Sequence, residues 1–272
     1  MSRPAHAQRV SAAALVRLRR SLSERDLAVL ASVAECRFLT ARQLQRWHFP
    51  VGEDGHTAGS ADRVARRVLS RHVRDRLLVR LERRIGGLRA GSAGYIYALG
   101  PVGHRVLERS EPRRRFEEPS TRFLEHTLTI ADVVVGLIEA DRLGETELLE
   151  CETEPHCWRP LGSGSRERLK PDLRLTLGAG DEELHWFVEV DLGTVHRPTV
   201  LKQCVAYATY YRTGREQHQV GTFPKVAWLT TPERVETLRR SIERDARLPS
   251  QLFAVTALAD WRSLLLGAGS AR

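Results

Sequence analysis

Apolar positions recur at helical spacing through the first half of this chain, and in a mixture of helical and alternating patterns through the second. Ser23 to Asp26 fits a capping box, and Leu27, Leu30, Val33 and Ala34 follow on one helical face. Thr40 to Gln43 is a second capping box, opening a short helix through His48 with Leu44 and Trp47 inward. Cys36 to Leu39, between the two, reads as a tight turn. A third helix is predicted from Ala61 to Leu78, with Val64, Val68, Val73 and Leu77 toward a core. Leu78 to Ile85 then alternates as a strand, residues 86–94 form a Gly-rich loop around Arg89, and Tyr95 to Leu99 returns as a strand. Pro101 to Arg109 closes the segment as a short helix. Three helices followed by a hairpin with a basic tip is the order of a winged helix-turn-helix.

The second half opens with a long amphipathic helix, Thr121 to Leu143, whose inner stripe is Leu124, Leu128, Ala131, Val135 and Ile138. Leu148 to Glu154 is a first strand, and Pro155 to Lys170 an Arg/Gly/Ser loop. Pro171-Asp172 precedes an alternating run, Leu173 to Leu177. A Gly/Asp/Glu turn leads to a second run, Leu184 to Leu192, rich in β-branched and aromatic residues. The pair reads as a β-hairpin. Thr199 to Tyr211 is helical, Lys225 to Thr230 a buried strand, Glu233 to Asp245 a helix, Leu252 to Thr256 a strand and Leu258 to Leu266 a terminal helix. The fold expected is α/β: an arm at 1–22, a winged helix domain at 23–110, a linker at 111–120 and an α/β domain at 121–272.

Charge sharpens this division. Residues 1–115 hold 24 Arg and no Lys against 10 acids, leaving 19 basic and 24 acidic residues for the remainder. Arginine in place of lysine is what a GC-rich genome produces, but genomic bias does not put the excess in one half. A basic half joined to a mildly acidic one suits a polyanion reader attached to something else, with duplex DNA as the expected partner. Arg63, Arg66, Arg67, Arg71 and Arg74 fall largely on the outer side of the third helix, with only Asp62 and Asp75 as acids there. Such a face suits a DNA groove, and Arg89 at the hairpin tip suits the backbone beside it. The Gly-rich loop lacks the lysine of a nucleotide-binding P-loop. Cys36, Cys151, Cys157 and Cys204 contain no Cys-x-x-Cys, and no second ligand pair completes a zinc site, so reduced, buried thiols are expected. No apolar run approaches a membrane span and the N-terminus lacks a secretory core; a cytoplasmic protein is expected.

Candidate chemistry gathers in the hairpin. Strand alternation puts Glu189 and Asp191 on one face, and the simplest register puts Asp172 beside Glu189. An acid at a strand end more often faces water than a metal. Clustered carboxylates, however, repel unless a hard cation such as Mg²⁺ neutralises them. On the following helix Gln203 and Tyr207 share a face, with Lys202 one residue off it.

In these residues the chain resembles the PD-(D/E)XK nuclease superfamily, with Pro171-Asp172 and the Glu189 strand as its two motifs and Gln203-x-x-x-Tyr207 similar to the RecB-like branch. More closely, Pro171-Asp172, Glu189-Val190-Asp191-Leu192-Gly193-Thr194, Lys202 and Tyr207 resemble the replication-relaxation family of bacterial and plasmid proteins, over about residues 24–260. The resemblance implies a restriction-endonuclease-like second domain and a site for Mg²⁺, or Mn²⁺, on Asp172, Glu189, Asp191 and, by position, Glu125. Lys202, Gln203 and Tyr207 would complete the catalytic set. It also implies work on plasmid or mobile-element DNA beside replication or mobilisation proteins. Asp191 stands where the superfamily has lysine. Two further classes are therefore expected as alternatives: a non-catalytic initiator on a degenerate nuclease fold, and a transcriptional regulator with an effector-binding domain.

Overall fold

A computed structural model describes residues 10–52, 57–81, 94–108, 119–162 and 167–267. Contacts divide the chain into two compact units, Met1–Leu128 and Thr129–Arg272. The expected linker at 111–120 lies largely outside the described residues, as does Arg89. The chain is mixed α/β, as expected. No helix among the described residues is long and apolar enough to cross a membrane.

In the first unit, part of the expected arm is helix α1 (Ala12–Ser21), capped by the Ser11 hydroxyl. Both capping boxes form: Ser23 with Asp26 opens α2 (Glu24–Cys36), and Thr40 with Gln43 opens α3 (Ala41–His48). The segment between them is more than a turn. Arg37 reverses the chain at φ 65°, and Phe38–Thr40 is then a short strand, β1. Helix α4 (Ala58–Arg74) is capped by Thr57 and leads to β2 (Leu78–Leu81); β3 (Ile96–Leu99) and α5 (Pro101–Val106) follow. The sheet order is β1-β3-β2, antiparallel throughout. A Cβ on Gly103 would collide with the Leu77 carbonyl, so the glycine is what lets α5 lie against the exit from α4.

The inner stripe of α4 is only in part the predicted one: Leu77, just past the helix, is buried as expected. Ala61, Ala65, Leu69 and His72 are buried, while Val64, Val68 and Val73 are half-buried. Small alanines let the helix approach its neighbours closely, and a histidine fills the place where valine was expected.

Helix α6 (Thr121–Arg142) starts in the first unit and continues in the second. The second unit is built on a five-stranded sheet of β4 (Glu147–Thr153), β7 (Leu173–Ala179), β8 (Glu182–Asp191), β9 (Lys225–Thr230) and β10 (Phe253–Ala257), in the order β10-β9-β8-β7-β4. Strands β4, β7 and β8 run antiparallel, and β8, β9 and β10 run parallel. The pairing of β4 shifts between Leu148 and Glu150. Inside the expected 155–170 loop lies a small hairpin, β5 (Arg159–Pro160) with β6 (Arg168–Leu169).

Helix α7 (Arg197–Arg212) follows β8, with α8 (Arg215–Val220) behind it; α9 (Pro232–Arg244) follows β9. Phe187, Val226 and Trp228 on the sheet pack with Val200, Cys204, Tyr207 and Ala208 of α7 and with Leu238 and Ile242 of α9. Alternation along β8 therefore sends Phe187, Glu189 and Asp191 toward these two helices, while Val188 and Val190 are buried on the other face. Helix α10 (Trp261–Leu265) closes the described chain, and Gly136 leaves room for its Trp261 against α6.

Candidate functional site: a buried carboxylate pair and a cationic helix

The register of β7 against β8 pairs Leu173 with Val188. One residue further, the Asp172 amide donates to the Val188 carbonyl (3.0 Å), which brings Asp172 alongside Glu189. The Asp172 carboxylate accepts from the Val190 amide at 2.7 Å, fastening the entry of β7 to the end of β8. Both acids are buried, at 6% and 5% exposure. On α7, the Tyr207 phenol, itself fully buried, donates to Glu189 Oε1 at 2.6 Å.

Burial pushes the Glu189 pKa well above its ordinary value, and the negative charge of Asp172 pushes it further; Glu154 adds to the rise and the phenol opposes it. Tyr207 is raised by the same burial and by Glu189. A carboxyl in such a place calls for a proton or a cation. Glu154 follows β4 directly and was not singled out in the sequence. The alternation of Glu150 and Glu152 along the strand, continued by Glu154 just past its end, is the signal that points to it. Cys157, buried beneath, donates its thiol to the Pro171 carbonyl at 3.0 Å, and burial raises its pKa.

The remaining predicted residues are placed differently. Gln203 is half-buried, one turn before Tyr207. Lys202 is exposed, about 140° around the helix from Tyr207 at 3.6 residues per turn. Asp191 is buried but committed elsewhere: Oδ2 meets Arg234 Nη2 of α9 at 3.0 Å and accepts from Thr230 Oγ1 at 3.2 Å, while Oδ1 accepts from the Gly193 amide at 3.0 Å. Arg234 was not anticipated, since nothing local marks a partner forty-odd residues downstream of Asp191. Glu125 is exposed in the part of α6 that belongs to the first unit.

Asp172 and Glu189 suit a cation of the Mg²⁺ kind, which takes one or two carboxylates and fills its shell with water and phosphate oxygens. No group of three or more His, Cys, Asp or Glu side chains that could hold a metal occurs among the described residues. None of the four cysteines is in a disulfide; three are buried and Cys151 is half-buried.

In the first unit, Arg63, Arg66, Arg67, Arg71 and Arg74 are all exposed on α4. Several are held. Arg63 donates to the Gly59 carbonyl, Arg66 pairs with Asp62, and Arg74 with Asp75. Arg71 pairs with Asp26 of α2, a buried carboxylate that also accepts from His72 Nε2 at 2.9 Å. Arg67 has no ion-pair partner among the described residues. Beside the hairpin, the Arg80 guanidinium lies over the Tyr95 ring, 4.2 Å from its centre.

Residues 30–226 match the family model described as Replication-relaxation. No curated protein and no solved structure matches the chain significantly.

Proposed function

The chain belongs to the replication-relaxation family, and from that premise we propose that it binds duplex DNA through its first unit and acts on a phosphodiester through its second. Family membership supports the role in replication or relaxation. The order α2, α3, α4, β2, β3, with α4 bearing five exposed arginines, supports reading the first unit as a winged helix whose α4 enters the major groove. In the second unit, the helix–strand–strand–strand–helix–strand order of α6, β4, β7, β8, α7 and β9 supports a nuclease-like core.

The observation that carries the enzymatic half is the meeting of buried Asp172 and Glu189 at the junction of β7 and β8. A divalent cation held there would lower the pKa of a bound water and neutralise phosphate charge. Tyr207 holds the Glu189 carboxylate in place, and Gln203 stands one turn away for a backbone contact. The protein's partners on this reading are plasmid or mobile-element DNA and the proteins that replicate or mobilise it.

A second reading is favoured by the ion pair of Asp191 with Arg234 and by the outward position of Lys202. On that reading the site lacks the cation that hydrolysis needs, and the second unit is a scaffold in a non-catalytic initiator or regulator. Supercoiled plasmid nicking by the full chain, with and without Mg²⁺ or Mn²⁺, separates the two. The enzyme nicks only with metal, and Asp172→Asn or Glu189→Gln abolishes nicking while DNA binding persists. Metal-independent silence of the wild-type chain on DNA that it still binds would leave the scaffold reading.

A further inference from the structure

The second unit also holds a cavity of about 350 Å³ where β8 ends, lined among others by Gly193, Thr194, His196, Arg197, Arg234 and Thr237. The chemistry proposed above makes no use of it. Its walls come from the β8–α7 connection and the first two turns of α9. Two arginines, a histidine and two threonines are among its lining residues, beside Val195 and Leu238, and no acidic residue is.

Asp191 ties together the elements that form this cavity. Buried at 2% exposure, it receives the Gly193 amide, the Thr230 hydroxyl and Arg234, so the strand end, the loop and α9 are drawn to one carboxylate. Gly193 takes φ +82° to make that turn. Arg234 Nη2 carries both the contact to Asp191 and a 2.8 Å bond to the Val195 carbonyl. Its Nε and Nη1 donors have no protein partner among the described residues. The fork is thus anchored at one corner, with donors left over.

The charge balance is positive. Asp191 is matched by Arg234, whereas Arg197 is exposed and has no ion pair among the described residues. The acids nearest in α9 are engaged elsewhere: Glu233 bonds its own helix start and Thr231, and Glu236 pairs with Arg239 and Arg240. His196 begins α7 without capping it through its side chain. Small-molecule sites run from about 300 to 1,000 Å³, and this one is at the lower end. Forked guanidinium donors with flanking hydroxyls match a phosphate's oxygens.

We propose that this cavity is a phosphate-binding subsite, with Arg234 as its anchored donor and Arg197 as its solvent-exposed one. That the phosphate belongs to a DNA strand rests on the function proposed above; that the cavity takes a phosphate does not. Glu189 is two residues before Asp191 on the same strand face, so the cavity and the carboxylate pair lie next to one another along β8.

Calorimetric titration of the full chain without metal, at constant ionic strength, tests this with four probes: inorganic phosphate, deoxyadenosine monophosphate, and a short oligonucleotide with a 5′-phosphate or a 5′-hydroxyl. The phosphate-bearing probes should bind saturably, and Arg197→Gln should weaken them at least tenfold. Arg234→Lys, which keeps a charge against Asp191, should weaken them severalfold without lowering Tm by more than a few degrees. A tighter complex with the 5′-phosphorylated oligonucleotide than with the mononucleotide assigns the site to DNA ends. Equal affinity assigns it to a free nucleotide. Either result upholds the subsite. An affinity unchanged in Arg197→Gln, or no binding beyond that of chloride, overturns it. Binding is read here without metal and without turnover, so a chain that never nicks DNA can still show the subsite, and loss of nicking and loss of the subsite are read apart.

Discussion

Tyr207 donates its phenolic hydrogen to Glu189 at 2.6 Å with both side chains out of water. The hydrogen bond joins α7 to β8 at the point where an acid is least welcome, and it opposes the rise in the Glu189 pKa. Tyr207→Phe leaves the ring's packing against Phe187 and deletes only the donor. Urea denaturation should show a loss of about 1–3 kcal/mol, the cost of leaving a buried polar group unmatched.

The raised Glu189 pKa fixes a sign for pH dependence. An acid whose folded pKa lies above its ordinary value of 4.5 holds its proton more tightly in the folded state. Its contribution is complete below that ordinary value and is lost as pH rises through the folded one. Glu189→Gln, which cannot ionise, should therefore gain stability relative to the wild type as pH increases from about 5 to 8 in metal-free buffer. Added Mg²⁺ should narrow the gap by stabilising the wild type alone. Thermal melts of both proteins across that range check this. A gap that stays constant with pH would mean that Glu189 does not titrate there.

His72 gives the opposite sign in the first unit. Asp26 Oδ1 can only accept, so His72 Nε2 donates, and Nδ1 is left buried without a partner. Burial lowers the His72 pKa from 6.5 despite the attraction of Asp26. Folding then favours the neutral ring, and stability is lost as pH falls below 6.5 toward the folded value. Hydrogen exchange of the α4 amides should accelerate between pH 7 and 5.5, after correction for intrinsic rates. His72→Gln keeps the donor and should flatten that change.

On α4, Arg67 and Arg71 should separate two roles. Arg67→Ala removes a charge held by no other described residue; it should weaken duplex binding severalfold and reduce the salt slope by about 1. Arg71→Ala also exposes the demand of buried Asp26, so it should lower Tm as well as affinity. Binding isotherms from 50 to 200 mM salt, read beside Tm, distinguish them. An unchanged salt slope for Arg67→Ala would argue against α4 as the docking surface.

Removing Arg234 should cost far more than removing an exposed arginine. Arg234→Ala leaves Asp191 charged and buried with two neutral donors, and breaking such a pair costs about 3–5 kcal/mol. Pairing Arg234→Met with Asp191→Leu should recover most of that loss in denaturant titrations, because the desolvated charge goes with its partner.

The carboxylate pair was legible because β-strands alternate and hairpin register follows from pattern: Asp172 beside Glu189 needs only the spacing of two runs and the turn between them. The capping boxes were legible for the same local reason. Strand β1 was not, because three residues carry no period and its partner, β3, lies almost sixty positions on. Nor was the β5–β6 hairpin, with two residues to a side. The stripe of α4 was misplaced by trusting valine over alanine. His72 and Arg234 escaped because each is defined by a distant carboxylate, Asp26 and Asp191, and long-range pairing leaves no mark on the residues nearby.

Strand β4 ends the five-stranded sheet, and the shift in its pairing at Leu149 has a consequence for self-association. An outermost strand offers unsatisfied amides and carbonyls as a template for a neighbouring molecule. Here the break in regular spacing makes that template irregular, and Glu150 and Glu152 are turned to ion pairs within the chain, with Arg174 and Arg159. A second copy approaching side by side along β4 would meet mismatched hydrogen-bonding geometry, which discourages growth of the sheet from this edge.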